Sequence, residues 1–193
     1  MEEKSGRDIL IENLVKLGLT PDVHAESRTN VLSGRDRIFS TSSVVVQLSD
    51  STYFLARNTG LSHTFTGIYS SIKLPVEAEY KVRCRNWFDF LFFPKRKKLG
   101  VKYIDDRLTI VSSGWTPSRE ISSEVVNLFL KINKTGKPYK IIVDNNYFSI
   151  IESLKDKKIV GIETDVWLYE KEDLKQLLDI GGKIISKMKG VGL

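Results

Sequence analysis

Over residues 78–85 the side chains alternate without a break, and no other stretch constrains the fold as tightly. An extended chain turns successive residues to opposite faces. Tyr80, Val82 and Cys84 therefore share one face, and Glu79, Lys81, Arg83 and Arg85 share the other. This pattern predicts a strand with one face in a core and three cations in a row on its open face. A run of rings follows at once, Trp87-Phe88-Asp89-Phe90-Leu91-Phe92-Phe93, too apolar for a solvated loop. Asn86 is placed to cap a short helix there and Pro94 to end it. Lys95-Arg96-Lys97-Lys98 comes directly after.

Charge sets the same stretch apart. Residues 79–102 hold eight basic side chains against two acidic ones, a local excess of +6. The whole chain has 30 Lys and Arg against 24 Asp and Glu, so the remainder balances at 22 of each. A local excess makes a field that an anionic partner can feel. The candidate binding residues are Lys81, Arg83, Arg85, Trp87, Lys95, Arg96, Lys97 and Lys98. Rings beside cations suit a stacking platform with a phosphate track, or a membrane interface with anionic headgroups. The plain alternative is a core strand, an aromatic helix that plugs the core and a solvated basic loop, because large aromatic side chains mostly serve cores.

Upstream, Ser5 and Asp8 have the spacing of a capping box, with Asp in place of Glu. The apolar stripe Ile9, Leu10, Leu14 and Leu17 follows, and Gly18 stops it. Thr20-Pro21-Asp22 turns the chain, and 23–35 carries no assignable period. Over 36–74 the signals are β. Segments 39–48 and 52–57 read as a hairpin across Ser49-Asp50-Ser51. Asn58-Thr59-Gly60 is the next turn, and 61–74 a further strand bent at Gly67. Short turns between successive strands predict an antiparallel meander.

The second half changes rhythm. Residues 107–113 alternate as a strand. Ser118 is the expected start of a helix that places Ile121, Val125, Leu128, Phe129 and Ile132 on one side and stops at Thr135-Gly136-Lys137-Pro138. Strands are expected over 139–143 and 158–166, and 147–154 fits either a short helix or half a hairpin. A last helix over 170–189 contains Gly181-Gly182, which weakens it by about 1 kcal/mol per glycine but suits close packing on a sheet. The fold class is α+β, a mostly antiparallel sheet with N-terminal, central and C-terminal helices packed on it. A single domain is expected over 1–193, with a β-rich first half (1–85) and a mixed second half (86–193) sharing the core. Tyr80, Val82, Cys84, Leu128, Ile141, Ile162, Leu177 and Ile184 are the expected members of that core.

Catalytic chemistry leaves few marks. The histidines are His24 and His63, and neither stands in a nucleophile-elbow context. Cys84 falls on the core face, where a thiol is inert packing, and Cys/His zinc ligands are lacking. Thr135-Gly136-Lys137 lacks the upstream glycine of a phosphate loop and follows a helix rather than a strand. Glu79-Tyr80-Lys81 resembles the acid and lysine of the PD-(D/E)xK nuclease arrangement, with Asp22 or Asp50 to supply the further carboxylate for Mg²⁺. That tripeptide is common on amphipathic strands, and the expected βαβ context is missing. Asp105-Asp106 reads as a solvated turn before a strand. No catalytic residue, metal ligand or cofactor is assigned.

With one cysteine the chain forms no internal disulfide, no disulfide-linked partner is expected, and a cytoplasmic location follows most simply. No apolar run approaches the roughly 20 residues that span a bilayer. The polar, acidic N-terminus reads as neither signal nor transit peptide. The expected function is a non-catalytic binding module with a local basic surface for nucleic acid or an anionic membrane. The alternatives are a protein–protein interaction domain with no anionic ligand and a Mg²⁺-dependent nuclease.

Overall fold

The computed structural model describes residues 4–32, 35–58, 63–89, 96–117, 119–145 and 150–190, with backbone alone over 26–40. Helix α1 (Gly6–Lys16) starts where the Ser5 hydroxyl oxygen accepts the Asp8 amide at 3.2 Å. The same hydroxyl donates to the Asp8 carboxylate at 2.6 Å, so the expected capping spacing closes with the shorter acid. Leu10 and Leu14 bury the helix stripe.

Eight strands follow: β1 (Asp22–Leu32), β2 (Arg35–Ser49), β3 (Thr52–Asn58), β4 (Thr64–Ser71), β5 (Tyr80–Cys84), β6 (Leu108–Ser112), β7 (Tyr139–Asn145) and β8 (Lys158–Thr164). They form one sheet in the order β1-β2-β3-β4-β8-β7-β5-β6. The first four pair antiparallel in chain order, and of these β2, β3 and β4 form the expected meander. This ribbon joins the other four strands at the sheet's centre, where β4 pairs antiparallel with β8 and brings Ile68 opposite Ile162. Strand β5 lies between β7 and β6, antiparallel to both. Helices α2 (Lys102–Asp105), α3 (Ser123–Asn133), α4 (Lys171–Gln176) and α5 (Gly182–Gly190) complete the fold, with a π turn (Leu177–Gly181) joining the last two and a 3₁₀ turn at Glu152–Leu154.

The strand period sorts the side chains into two faces. Val46, Phe54, Ile68, Ile162, Ile141, Val82 and Ile110 stand opposite one another across seven strands, forming a continuous apolar row. Helices α1, α3, α4 and α5 cover this face with Leu14, Phe129, Leu174, Ile184 and Met188 among the buried contacts. Tyr80, Val82, Ile141, Ile162, Leu177 and Ile184 are buried in this core, and Cys84 and Leu128 pack against it partly buried. Gly181 is the close approach: a Cβ there would stand 3.0 Å from Ile162 Cγ2, whereas Gly182 faces open space.

The other face is mixed. A small cluster of Val45, Tyr53, Leu55, Tyr69, Ile142 and Ile159 lies under Ile151 and Leu154. Beside it runs a polar row, Gly67, Glu163, Lys140, Arg83 and Thr109, each opposite the next on adjacent strands.

Several expected boundaries move. Residues 23–32 of the unassigned segment form β1 with Asp22, and its polar sequence is held by backbone pairing to β2 from Asp22↔Val45 to Leu32↔Arg35. Strand β4 is shorter than expected. At Gly67 a Cβ would come within 2.8 Å of the Ile162 carbonyl oxygen, so the glycine serves close packing there. The central helix begins at Ser123, because Ser122 rather than Ser118 caps it, its hydroxyl accepting the Val125 amide at 3.3 Å; residue 118 lies outside the described residues. The expected helix after Asn86 is described only over 86–89, where Asn86 Oδ1 accepts the Asp89 amide at 3.1 Å; residues 90–95 lie outside the description, as do 146–149. Asp105 is not a solvated turn residue, since its carboxylate accepts the Leu99 and Gly100 amides at 2.9 and 3.1 Å. Among the described residues no helix is long and apolar enough to cross a membrane.

Candidate anion-binding cleft

The basic stretch separates into cations that are tied down and cations that are not. Lys81 and Arg83 lie on the same face of β5, opposite Tyr80 and Val82. Arg83 is engaged: its guanidinium pairs with the Asp89 carboxylate. Asp89 is only 1% exposed and also accepts the Thr109 hydroxyl and, at 3.1 Å, the Asn86 amide. Burial opposes ionisation of Asp89, but those hydrogen bonds and the Arg83 charge outweigh it and hold the carboxyl below its ordinary range. Arg96 donates to the main-chain oxygens of Asp105 and Leu108 at 2.6 and 3.2 Å, which makes it a brace for α2 and β6. Lys97 bridges to the edge of the sheet through its amide and the Ile110 carbonyl, 2.9 Å apart. Lys98 is exposed, and Lys95 lies outside the described residues.

Further along the same face, Lys140 stands 3.2 Å from Glu163 and 2.6 Å from Asp165. Glu163 is buried and accepts the Tyr69 hydroxyl at 2.5 Å. The Tyr69 ring fits because Gly161 leaves room: a Cβ at 161 would stand 2.5 Å from Tyr69 Cδ1. Burial pulls the Lys140 pKa down, and the two carboxylates more than restore it, so the ammonium titrates above its ordinary value. Lys81 shares a cavity of about 570 Å³ with this network and His63.

Arg85, just past the end of β5, goes elsewhere. Its amide donates to the Arg107 carbonyl at 2.7 Å, extending the β5–β6 ladder by one step and setting the two arginines side by side. Both line an open cleft of about 940 Å³ between this end of the sheet and α3, together with Lys131, Lys134 and Lys137. Asp106 is the acidic residue among the lining residues, so five cations face one carboxylate, a local charge of +4. Cys84, Tyr103, Asn127, Leu130 and Pro138 supply further walls.

Most of the charged lining residues are placed by local structure. The Arg107 guanidinium lies over the Tyr103 ring, 4.1 Å from its centroid, and donates to the Tyr103 carbonyl at 3.2 Å. The Tyr103 hydroxyl bonds Asn127 and so ties α2 to α3. Lys131 occupies the last turn of α3 and Lys134 its C-cap, where cations complement the negative end of the helix. Gly136, at φ +84°, lets the chain reverse before Lys137 and Pro138 lead into β7. Lys137 stands 3.7 Å from Asp173, while Lys131 and Lys134 make no salt bridge among the described residues. The Asp106 pKa is lowered first by the Lys102 hydrogen bond, then, against some burial, by the Lys102, Arg85 and Arg107 charges. Burial raises the Cys84 thiol pKa, which keeps it protonated and unreactive.

Next to Arg85 in the chain, the 86–89 turn holds two rings in solvent. Trp87 is 72% exposed and Phe88 49%, with ring centroids 4.3 Å apart and planes tilted by 35°. A second lysine-lined cavity, about 720 Å³, includes Lys73, Lys157, Lys158 and Lys189. There Lys158 donates to the Val76 carbonyl at 2.7 Å, and Lys189 to the Ser51 and Ser70 hydroxyls at 2.8 and 2.9 Å.

The residues of the nuclease alternative have other partners. Glu79 accepts Asn145 Nδ2 at 2.6 Å and lies 3.7 Å from Lys158, while Asp22 stands 3.0 Å from His24. Among the described residues no three His, Cys, Asp or Glu side chains gather to hold a metal ion. No protein-family model matches the chain, and neither curated proteins nor solved structures give a match.

Of the anion-binding candidates read from the sequence, Arg85 is the one among the described residues that lines the basic cleft. Arg107, Lys131 and Lys134 were not singled out, and Lys137 was weighed only within a rejected phosphate loop. Their one signal in the sequence is the three-residue spacing of Lys131, Lys134 and Lys137 across a helix end, which any solvated helix also carries.

Proposed function

We propose that the protein is a non-catalytic module that binds a phosphate-bearing anionic partner in the cleft between α3 and the end of β5. The observation that carries this is the convergence of Arg85, Arg107, Lys131, Lys134 and Lys137, from three chain segments, on a hollow with one carboxylate. A concave, low-dielectric wall concentrates the field of such cations beyond what the same charges give on an open surface. Paired guanidinium groups suit the oxygens of a phosphate, and lysines add mobile point charges around them. The cleft offers little for catalysis: Asp106 is held ionised by Lys102, and the Cys84 thiol is held protonated. An unpaired thiol fits a reducing, cytoplasmic compartment.

Pyrophosphate titrated into ¹⁵N-labelled protein at low salt tests the site. Amide shifts should centre on Arg85, on 103–107 and on 130–137. Shifts centred instead on Lys73, Lys157 and Lys189, or no shifts at all, would remove the cleft from consideration.

A further inference from the structure

Asp89 and the two residues before it form an arrangement that packing alone does not explain. A buried carboxylate, fixed by Arg83, Thr109 and Asn86, anchors a turn whose other two side chains are Trp87 and Phe88. Large rings are the side chains that gain most from burial. Here the anchor points inward and the rings stay outside, 4.3 Å apart. Trp87 follows Arg85 by two residues, so its Cα lies within about 7 Å of a residue lining the cleft.

Resting on the anion-binding cleft proposed above, we infer that the partner is a single-stranded nucleic acid, whose phosphates follow the cleft and whose bases stack on Trp87 and Phe88. Rings and cations on adjoining surfaces are what a single strand requires, because its bases are free to leave their neighbours and lie against a ring, and every base presents a π face. A duplex keeps its bases stacked inside and would leave both rings without a partner. A membrane is also a poor fit, since the cations surround a hollow while lipid headgroups lie in a plane.

The test is fluorescence anisotropy with a fluorescein-labelled oligo(dT) of about 12 nucleotides, measured across a salt series for three forms of the full chain. These are the wild type, a Trp87→Ala/Phe88→Ala variant and a Lys131→Ala/Lys134→Ala variant. The ring variant should bind about tenfold more weakly for each ring removed, with the wild-type salt slope kept, because no phosphate contact is lost. The lysine variant should show a flatter slope, by about 0.7 for each contact removed. Both rings are exposed, so the urea midpoint of the ring variant should match the wild type. Quenching of tryptophan emission by the oligonucleotide should disappear in Trp87→Phe while most of the affinity remains. If the ring variant binds as well as the wild type while the lysine variant does not, base stacking is wrong and the anion-binding cleft stands. If oligo(dT) does not bind at low salt but polyphosphate does, nucleic acid is the wrong partner and the cleft again stands. If neither binds, both proposals fail.

Discussion

Lys140 and Lys134 carry the same charge and differ in what meets it. Lys140 lies on the open face of the sheet between Glu163 and Asp165, and Glu163 also accepts the Tyr69 hydroxyl through its other carboxylate oxygen. Lys134 ends α3 at the rim of the cleft and makes no salt bridge among the described residues. The same contrast separates Arg83, locked to Asp89, from Arg85 in the cleft. Counting charge along a sequence therefore overstates the field wherever the fold has already paired it. A cation held in an ion pair contributes to stability, and one left in a concave site remains free to meet a ligand.

That division breaks most visibly at Glu163. Replacing it by Ala removes the acceptor of the Tyr69 hydroxyl and leaves Lys140 with Asp165 alone, at a cost of up to about 3–5 kcal/mol for breaking a buried pair. Urea unfolding measures this, and a loss near zero would mean that the open-face charges are as loosely held as those of the cleft.

A smaller effect is expected at Asp89. Asp89→Asn should cost about 1.5–3 kcal/mol, the range for hydrogen bonds to a charged group, and no more, because Arg83 keeps some access to water. The effect carries a pH signature. The folded-state pKa of Asp89 is lowered, so its contribution is complete above the unfolded value of about 3.9 and is lost as pH falls through the folded value. The stability gap between wild type and Asp89→Asn should stay constant from about pH 7 to pH 5 and shrink below about pH 4. A gap that changes between pH 7 and pH 5 would mean that the carboxylate is not held ionised by these partners.

Local signals made much of the fold legible. The capping box at Ser5 and Asp8, the alternation at Tyr80, Val82 and Cys84, and the helical stripe through Leu177 and Ile184 each encode their own element and its buried face. Strand β1 was not legible, because a polar ribbon held by backbone pairing has no apolar period to read. The cleft was less legible still. Arg85, Arg107 and Lys131 are far apart in the chain and meet only because β5 pairs with β6 while α3 packs over the same end of the sheet. In the sequence each is an ordinary surface cation. Glu163 left a fainter mark, a carboxylate in the apolar run of β8 two residues after Gly161, and its tyrosine partner lies 94 positions away.

The central claim is that the cleft cations hold a ligand rather than the fold. The most direct measurement compares two triple variants with equal loss of charge: Arg107→Ala/Lys131→Ala/Lys134→Ala in the cleft, and Lys73→Ala/Lys157→Ala/Lys171→Ala elsewhere. Affinity for fluorescein-labelled polyphosphate and the urea midpoint are read for both. The cleft variant should bind about ten- to a hundredfold more weakly, about 0.5–0.9 kcal/mol for each of the three exposed charges, with its stability within about 1 kcal/mol of the wild type. The control should retain wild-type affinity. Equal losses of affinity in the two variants would contradict the claim, because binding would then follow total charge and the cleft would hold no special place.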